Sequence, residues 1–208
     1  MGRWQPGARE RLERAALELF VEQGFAETTV PQITARAGLT TRTFFRHFAD
    51  KREVLFAGED ELPKLVARLT TETPASLDPM AALAFAVDSI AEAVFEGRRD
   101  YLRTRRAVIN ADEGLREREL RKGAVLSELV RKGFLDRGTD ELTSTLAAHI
   151  AVTVFSVALN RWLDQERGFA EIAVEVQDAL RLLVADSRPQ HSEPSAPSHV
   201  RDASVTQD

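Results

Sequence analysis

Apolar residues in this chain return at intervals of three and four, and that period dictates helices along most of its length. Between Arg9 and Gln23, Leu12, Ala15, Ala16, Leu19 and Phe20 form one stripe, and Gly24 ends the run. Alternation with a period of two, bounded by turn residues, does not recur, so the fold class is all-α. Capping chemistry then divides the next stretch finely. Thr29 with Gln32 forms a capping box, Pro31 suits a first turn, and Ile33 and Ala37 give the short second helix an inner side. Gly38 turns the chain, and Thr40 caps a third helix reaching about His47. Asp50 with Glu53 caps a fourth helix, which runs to about Leu69.

The third helix, laid out at about 100° per residue, has two unlike sides. Phe44 and Phe48 lie within about 40° of each other and face inward. Arg42, Thr43 and Arg46 lie opposite, with Phe45 and His47 on the flanks and Thr41 near the free N-terminal end. An arginine can bind guanine O6 and N7 with two parallel hydrogen bonds. A threonine offers a hydroxyl and a methyl, and a histidine can donate to phosphate or base. The outer face therefore carries the chemistry of major-groove readout, although a solvated charged face has the same composition.

Charge is distributed unevenly. Residues 1–56 hold nine Lys and Arg against seven Asp and Glu, a balance of +2, so a total of −5 leaves −7 on the rest. A weakly basic head on an acidic body suits a protein that presents one end to a polyanion. Arg3, Trp4 and Arg9 read either as an arm for the minor groove or as ordinary terminal charges.

Beyond a two-proline loop at 71–79, helices are expected at about 80–97, 100–111, 114–136, 139–165 and 169–186, giving about nine helices in all. The expected domains are a helix-turn-helix head at 1–50, a helical ligand-binding and dimerisation body at 51–187, and a disordered tail at 188–208 rich in Pro, Ser and charge. The body carries large apolar side chains, among them Phe85, Ile90, Val94 and Phe95, with Arg105, Arg106, Asn110, His149, Thr153, Ser156 and Asn160 set awkwardly among them. A ligand cavity needs a few such polar groups. His149, Thr153, Ser156 and Asn160 share one face of an apolar helix, where they line either a pocket or a dimer contact. Leu146–Leu159 is apolar nearly all round and implies burial on several sides. With the stripe Ile172, Val176, Ala179, Leu180, Leu183 and Val184, it points to a homodimer through the last two helices.

Three segments carry a family resemblance: A-A-L-E-L-F-V-E-Q-G-F (15–25), E-T-T-V-P-Q-I (27–33) and A-R-A-G-L-T-T-R-T-F-F-R-H-F-A-D-K-R-E-V-L-F (35–56). Together they resemble the N-terminal domain of the tetracycline-repressor-like (TetR) family of transcription regulators. That resemblance implies that Thr40, Thr41, Arg42, Thr43, Phe45, Arg46 and His47 meet double-stranded operator DNA, with Thr29 and Lys51 at phosphate positions. Phe45 stands where the family usually has Tyr, and Thr34 where Ala is common, so a buried Thr34 hydroxyl would need a partner. A looser resemblance, through R-R-A-V-I-N-A-D-E-G-L-R-E-R-E-L and A-L-N-R-W-L-D, suggests a subgroup with an acyl-CoA-like ligand domain. There the effector is small and apolar or acyl-type, and Arg105 or Arg106 meets its carboxylate or phosphate.

The sequence has no cysteine, no H-E-x-x-H, no phosphate loop and no nucleotide-binding glycine pattern, and two of its four histidines, His191 and His199, fall in the expected tail. Nothing in it requires a cofactor or metal, and an enzyme is not expected. With no apolar run read as a signal peptide or membrane span, the expected location is the cytoplasm. The reading is a ligand-responsive DNA-binding regulator, more a repressor than an activator, against the alternative of a helical small-molecule receptor or adaptor without sequence-specific DNA binding.

Overall fold

A computed structural model describes residues 7–56, 61–74, 76–94 and 97–186, without the side chains of 87–94, 185 and 186. Its helices are α1 (Ala8–Gln23), α2 (Val30–Ala37), α3 (Thr41–His47), α4 (Lys51–Leu55), α5 (Glu61–Glu72), α6 (Pro79–Val94), α7 (Arg99–Ala111), α8 (Glu113–Asp136), α9 (Glu141–Asp164) and α10 (Phe169–Asp186). No strand occurs among the described residues. The helix expected over 50–69 is represented by α4 and α5. The chain leaves helical geometry at Phe56 (φ −105°, ψ 13°), whose ring is buried, and 57–60 lie outside the described residues. That division accounts for ten helices where about nine were expected. Arg3, Trp4, Phe95 and the tail from 188, with His191 and His199, also lie outside the described residues.

Local chemistry sets the head. Gly24 ends α1 at φ 86°, its N–H returned to the Phe20 carbonyl at 3.1 Å. The Thr29–Gln32 capping box forms, and Gly38 adopts the left-handed conformation (φ 64°, ψ 39°) that a residue with a Cβ resists. From α1, the Arg11 guanidinium donates to the carbonyls of Ala37 and Gly38, fastening this turn from the outside. Thr34 is buried, and its hydroxyl finds the Pro31 carbonyl at 3.0 Å. Asp50 accepts from the N–H groups of Arg52 and Glu53 at 2.7 and 3.1 Å, capping α4.

Phe44 has no exposed surface and Phe48 is 4% exposed, packed with Leu12, Ala16, Phe20 and Ile33. This core does not stop at residue 50, where the head was expected to end. It continues through Val54, Leu55 and Phe56 to Val108 and Ile109 of α7 and Leu115 of α8. In the body, α9 packs between α8 and α10 while α5 lies along α8. A second core gathers Leu69, Val154, Trp162, Phe169 and Ile172.

One joint links the two halves. The Arg105 Nε donates to the Leu55 carbonyl at 2.6 Å, its Nη2 meets Glu119 at 2.9 Å, and its guanidinium stands 5.1 Å from the Phe56 ring centroid. Arg118 lies 4.4 Å from the same ring and bridges to Glu53 at 2.7 Å. Burial raises the Glu119 pKa, but the hydrogen bond and charge of Arg105 outweigh it and hold the carboxyl below its ordinary range.

Phe44→Ala is expected to lose about 3–5 kcal/mol of stability, while Phe45→Ala on the opposite face stays within about 0.5 kcal/mol of the parent, measured by denaturant unfolding. A carboxyl with a lowered folded pKa stabilises above its unfolded pKa, and that contribution disappears as pH falls through the folded value. Glu119→Gln is therefore expected to flatten the decline of stability below about pH 4.5, the ordinary glutamate value, in unfolding curves taken across acid pH.

Candidate nucleic-acid interface and internal cavity

With Phe44 and Phe48 turned in, α3 presents the opposite side to solvent. Thr41, Arg42, Phe45, Arg46 and His47 are exposed, Phe45 by 59%, with its ring edge-on to Phe44 at 5.4 Å. Neither Arg42 nor Arg46 has an ion-pair partner among the described residues. By contrast Arg9, Arg36 and Arg52 of the same head are paired with Glu13, Glu22 and Asp50. Two unpaired guanidiniums on a short exposed helix are the geometry that anion or base-edge contact needs. Thr40 and Thr43 are more constrained. The Thr40 hydroxyl accepts from the Thr43 N–H at 3.1 Å and lies 3.0 Å from the Thr43 hydroxyl, leaving the Thr43 methyl as its less committed part. Thr29 is engaged similarly, donating to Gln32 Oε1 at 2.9 Å.

Lys51 is placed otherwise than the phosphate position suggests. Its Nζ donates to the carbonyls of Phe25, Ala26 and Thr28 at 2.7, 3.0 and 2.8 Å and stands 4.5 Å from the Phe25 ring centroid. An ammonium has three hydrogens, and all three are engaged. The side chain fastens the α1–α2 connection to α4 instead of reaching outward.

The candidate ligand residues do not converge. Arg105 is committed to the head–body joint. Arg106 donates to the Asn160 carbonyl and side-chain oxygen, both at 3.2 Å, and pairs with Asp164, so it pins α7 to the end of α9. Asn110 is exposed at the end of α7. His149, Thr153, Ser156 and Asn160 all lie on the exposed side of α9, with His149 Nδ1 2.8 Å from the Thr145 carbonyl. Phe85 is 39% exposed, and the side chain of Ile90 lies outside the described residues.

The body's cavity lies elsewhere, among α5, α6, α8 and α9. It measures about 90 Å³ and opens partly to solvent. None of Phe85, Arg105, Arg106, Asn110, His149, Thr153 and Ser156 lines it; its walls include Leu62, Val66, Leu83, Val130, Phe134 and Phe155. Gly133 is also in the wall, and there Thr70 of α5 presses where a Cβ would stand. Sequence reasoning missed Arg137, the one charged side chain among the described lining residues; its position at the end of α8 beside Gly138 was the available signal.

The expectation that Leu146–Leu159 is buried on several sides is only half met. Ala147, Ala148, Val154 and Ala158 are buried, whereas Leu146 and Val157 are 55 and 43% exposed, and Leu142 one turn before the stretch is 69% exposed. On length and composition alone this 24-residue helix, which contains an 18-residue window of mean hydropathy 1.8, could cross a membrane. Its packing between α8 and α10 is that of a core helix with one open side.

This architecture, a three-helix head with the outer face of its third helix exposed on an all-α body, defines a helix-turn-helix protein. Residues 13–57 match the model for bacterial regulatory proteins of the tetR family. The chain is 37% identical over 89 residues to the transcriptional regulator TcmR of Streptomyces glaucescens, covering 43% of this chain and 39% of TcmR. It is 27% identical over 176 residues to the transcriptional repressor BepR of Brucella suis, covering 77% of this chain and 83% of BepR. Its fold matches NalD of Pseudomonas aeruginosa, a repressor of a multidrug efflux pump, with a TM-score of 0.60 and 20% identity. That match covers 84% of this chain and 96% of NalD. The match to the tetR-family model is confined to the head of the chain.

Lys51→Met is expected to lower stability by about 1.5–3 kcal/mol, the worth of charge-assisted hydrogen bonds, in thermal or denaturant unfolding. The salt dependence of duplex binding should remain that of the parent. A slope reduced by about one would instead mean that Lys51 touches phosphate.

Proposed function

We propose that this protein is a cytoplasmic, ligand-responsive transcriptional repressor, not an enzyme, that binds a pseudo-palindromic operator as a homodimer. The observation that carries this reading is the exposed face of α3. Arg42 and Arg46 stand unpaired beside Phe45 and His47, on a helix whose rotation is fixed by Phe44. Arg42 and Arg46 supply base or phosphate contacts. Phe45, without the phenol usual at this position, offers its ring to sugar or a thymine methyl. Thr40 and Thr29 act mainly as helix caps, and Lys51 holds the head together from within.

The partner for the open side of α9 is a second copy. Leu142, Leu146, His149, Thr153 and Val157 follow one another at intervals of four, three, four and four, so they lie along one face. Val174 and Leu182 are exposed on the neighbouring α10. Two such helices against their symmetry mates bury both apolar stripes and leave hydroxyl and imidazole groups to bond across the seam. The same dimer sets two α3 helices at the spacing a duplex requires. A small apolar effector in the cavity favours one arrangement of the two heads over another, and so weakens operator binding.

Selection of bound sequences from random duplex DNA is expected to yield a two-fold symmetric site with the mass of two chains bound. Arg42→Ala is expected to cost about 1–3 kcal/mol on that site and relax preference at one position in each half, read by competition against single-base variants. Arg46→Ala should shift the slope of affinity against salt if it meets phosphate. A chain that remains monomeric and selects no sequence would leave the receptor or adaptor reading in place.

A further inference from the structure

Arg137 differs from the other arginines of the body cavity's surroundings. Arg105, Arg106 and Arg131 are each held by carboxylates. Arg137 has no ion-pair partner among the described residues, although it is partly buried in the wall of an apolar cavity. Its Nη2 donates to the carbonyls of Pro74 and Leu77 at 2.8 and 3.2 Å, which anchors the guanidinium where α5 gives way to α6. The guanidinium also lies 5.8 Å from the ring centroid of Phe134, another wall residue. A guanidinium has five N–H groups, so this anchoring leaves those on Nε and Nη1 without a partner among the described residues.

The remaining polar groups of the wall are oriented by their own helix. The Thr70 and Thr73 hydroxyls donate to the carbonyls of Ala67 and Leu69 at 2.7 and 2.6 Å. Each therefore presents only oxygen lone pairs to a ligand. The described wall thus combines a long apolar surface, one uncompensated positive charge with fixed donors, and no negative charge.

We propose that the cavity binds an apolar monocarboxylate, its carboxylate on the Nε and Nη1 edge of Arg137 and its hydrocarbon body among Leu62, Val66, Leu83 and Phe155. This deepens the effector reading above and rests on it for the consequence at the operator. Charge complementarity selects the head group, since carboxylate and guanidinium match in shape and in donor and acceptor sense. Size selects the response. At about 90 Å³ the cavity is smaller than the roughly 150 Å³ that admits benzene in an engineered core, so a longer chain must either displace a wall or extend through the opening to solvent. The yielding walls are α5 and α6, whose connection Arg137 holds.

The test is calorimetric titration of the full chain with butanoate, hexanoate and octanoate, and with the three alcohols of equal length. The acids are expected to bind more tightly as the chain lengthens, and each to exceed its alcohol by about 10- to 100-fold, the range of a charge-assisted hydrogen bond. Arg137→Gln, which keeps a donor for the loop carbonyls, should reduce the acids to the level of the alcohols and weaken the alcohols by no more than a few-fold. That retained alcohol binding shows the variant's cavity to be intact. Ala151→Phe, which fills the wall from α9, should weaken both series. Alcohols binding as well as acids, acids unaffected by Arg137→Gln, or no binding of either series would each overturn the proposal. Operator binding of the ligand-free protein, measured on the same samples, separates this from failure of the regulator reading. Octanoate that binds through Arg137 without weakening the operator complex upholds the site and overturns its role as effector.

Discussion

The rotation of α3 about its own axis is set by burial of Phe44, and the orientation of every outward residue follows from it. A helix of seven residues has too few internal hydrogen bonds to hold itself in water, so its stability comes from packing. Phe44 contributes a fully buried ring and Phe48 another, against Leu12, Ala16 and Ile33. Arg11 fixes the approach to the helix by holding the carbonyls of the Gly38 turn, and Lys51 fixes its departure by holding the connection before α2. Unpaired Arg42 and Arg46 are therefore displayed by a frame in which Arg9, Arg11, Arg36, Lys51 and Arg52 hold parts of the head together.

Head and body share one core, which constrains how a ligand could be sensed. The apolar cluster of the head passes through Phe56 to Val108, Ile109 and Leu115. The Arg105 guanidinium ties the end of α4 to α8 through Leu55 and Glu119. A shift of α8 or α7 relative to α4 would have to break or carry that contact. The cavity touches α8 further along, at Leu126, Val130, Gly133 and Phe134. One rigid helix thus meets both the cavity and the joint, which gives a ligand a physical route to the angle of the head.

Local signals made the head legible from sequence. The Thr29–Gln32 box, the left-handed Gly38, the Thr40 and Asp50 caps and the inward pair Phe44 and Phe48 each depend on residues at most four apart, and each is where the spacing places it. Functions that depend on distant partners were not legible. Lys51 finds carbonyls 23 to 26 residues earlier in the chain, and nothing local distinguishes that role from a phosphate contact. Arg105 and Arg106 are adjacent on α7 and turn to different neighbours, Leu55 with Glu119 and Asn160 with Asp164. Periodicity showed that His149, Thr153, Ser156 and Asn160 share a face, but not whether that face meets a cavity or solvent. The cavity itself arises from tertiary packing, and Arg137 enters it only because the loop after α5 folds back onto the end of α8.

The central claim is that the side of α3 opposite Phe44 lies against a double helix. It is tested most directly by photo-crosslinking, with a benzophenone amino acid placed at Phe45 or, as a control, at Val21, which is equally exposed on α1. Irradiation with the selected duplex is expected to give a covalent protein–DNA adduct from position 45 and none from position 21. An adduct from position 21 alone, or none from position 45 under conditions where the duplex is bound, would contradict the account.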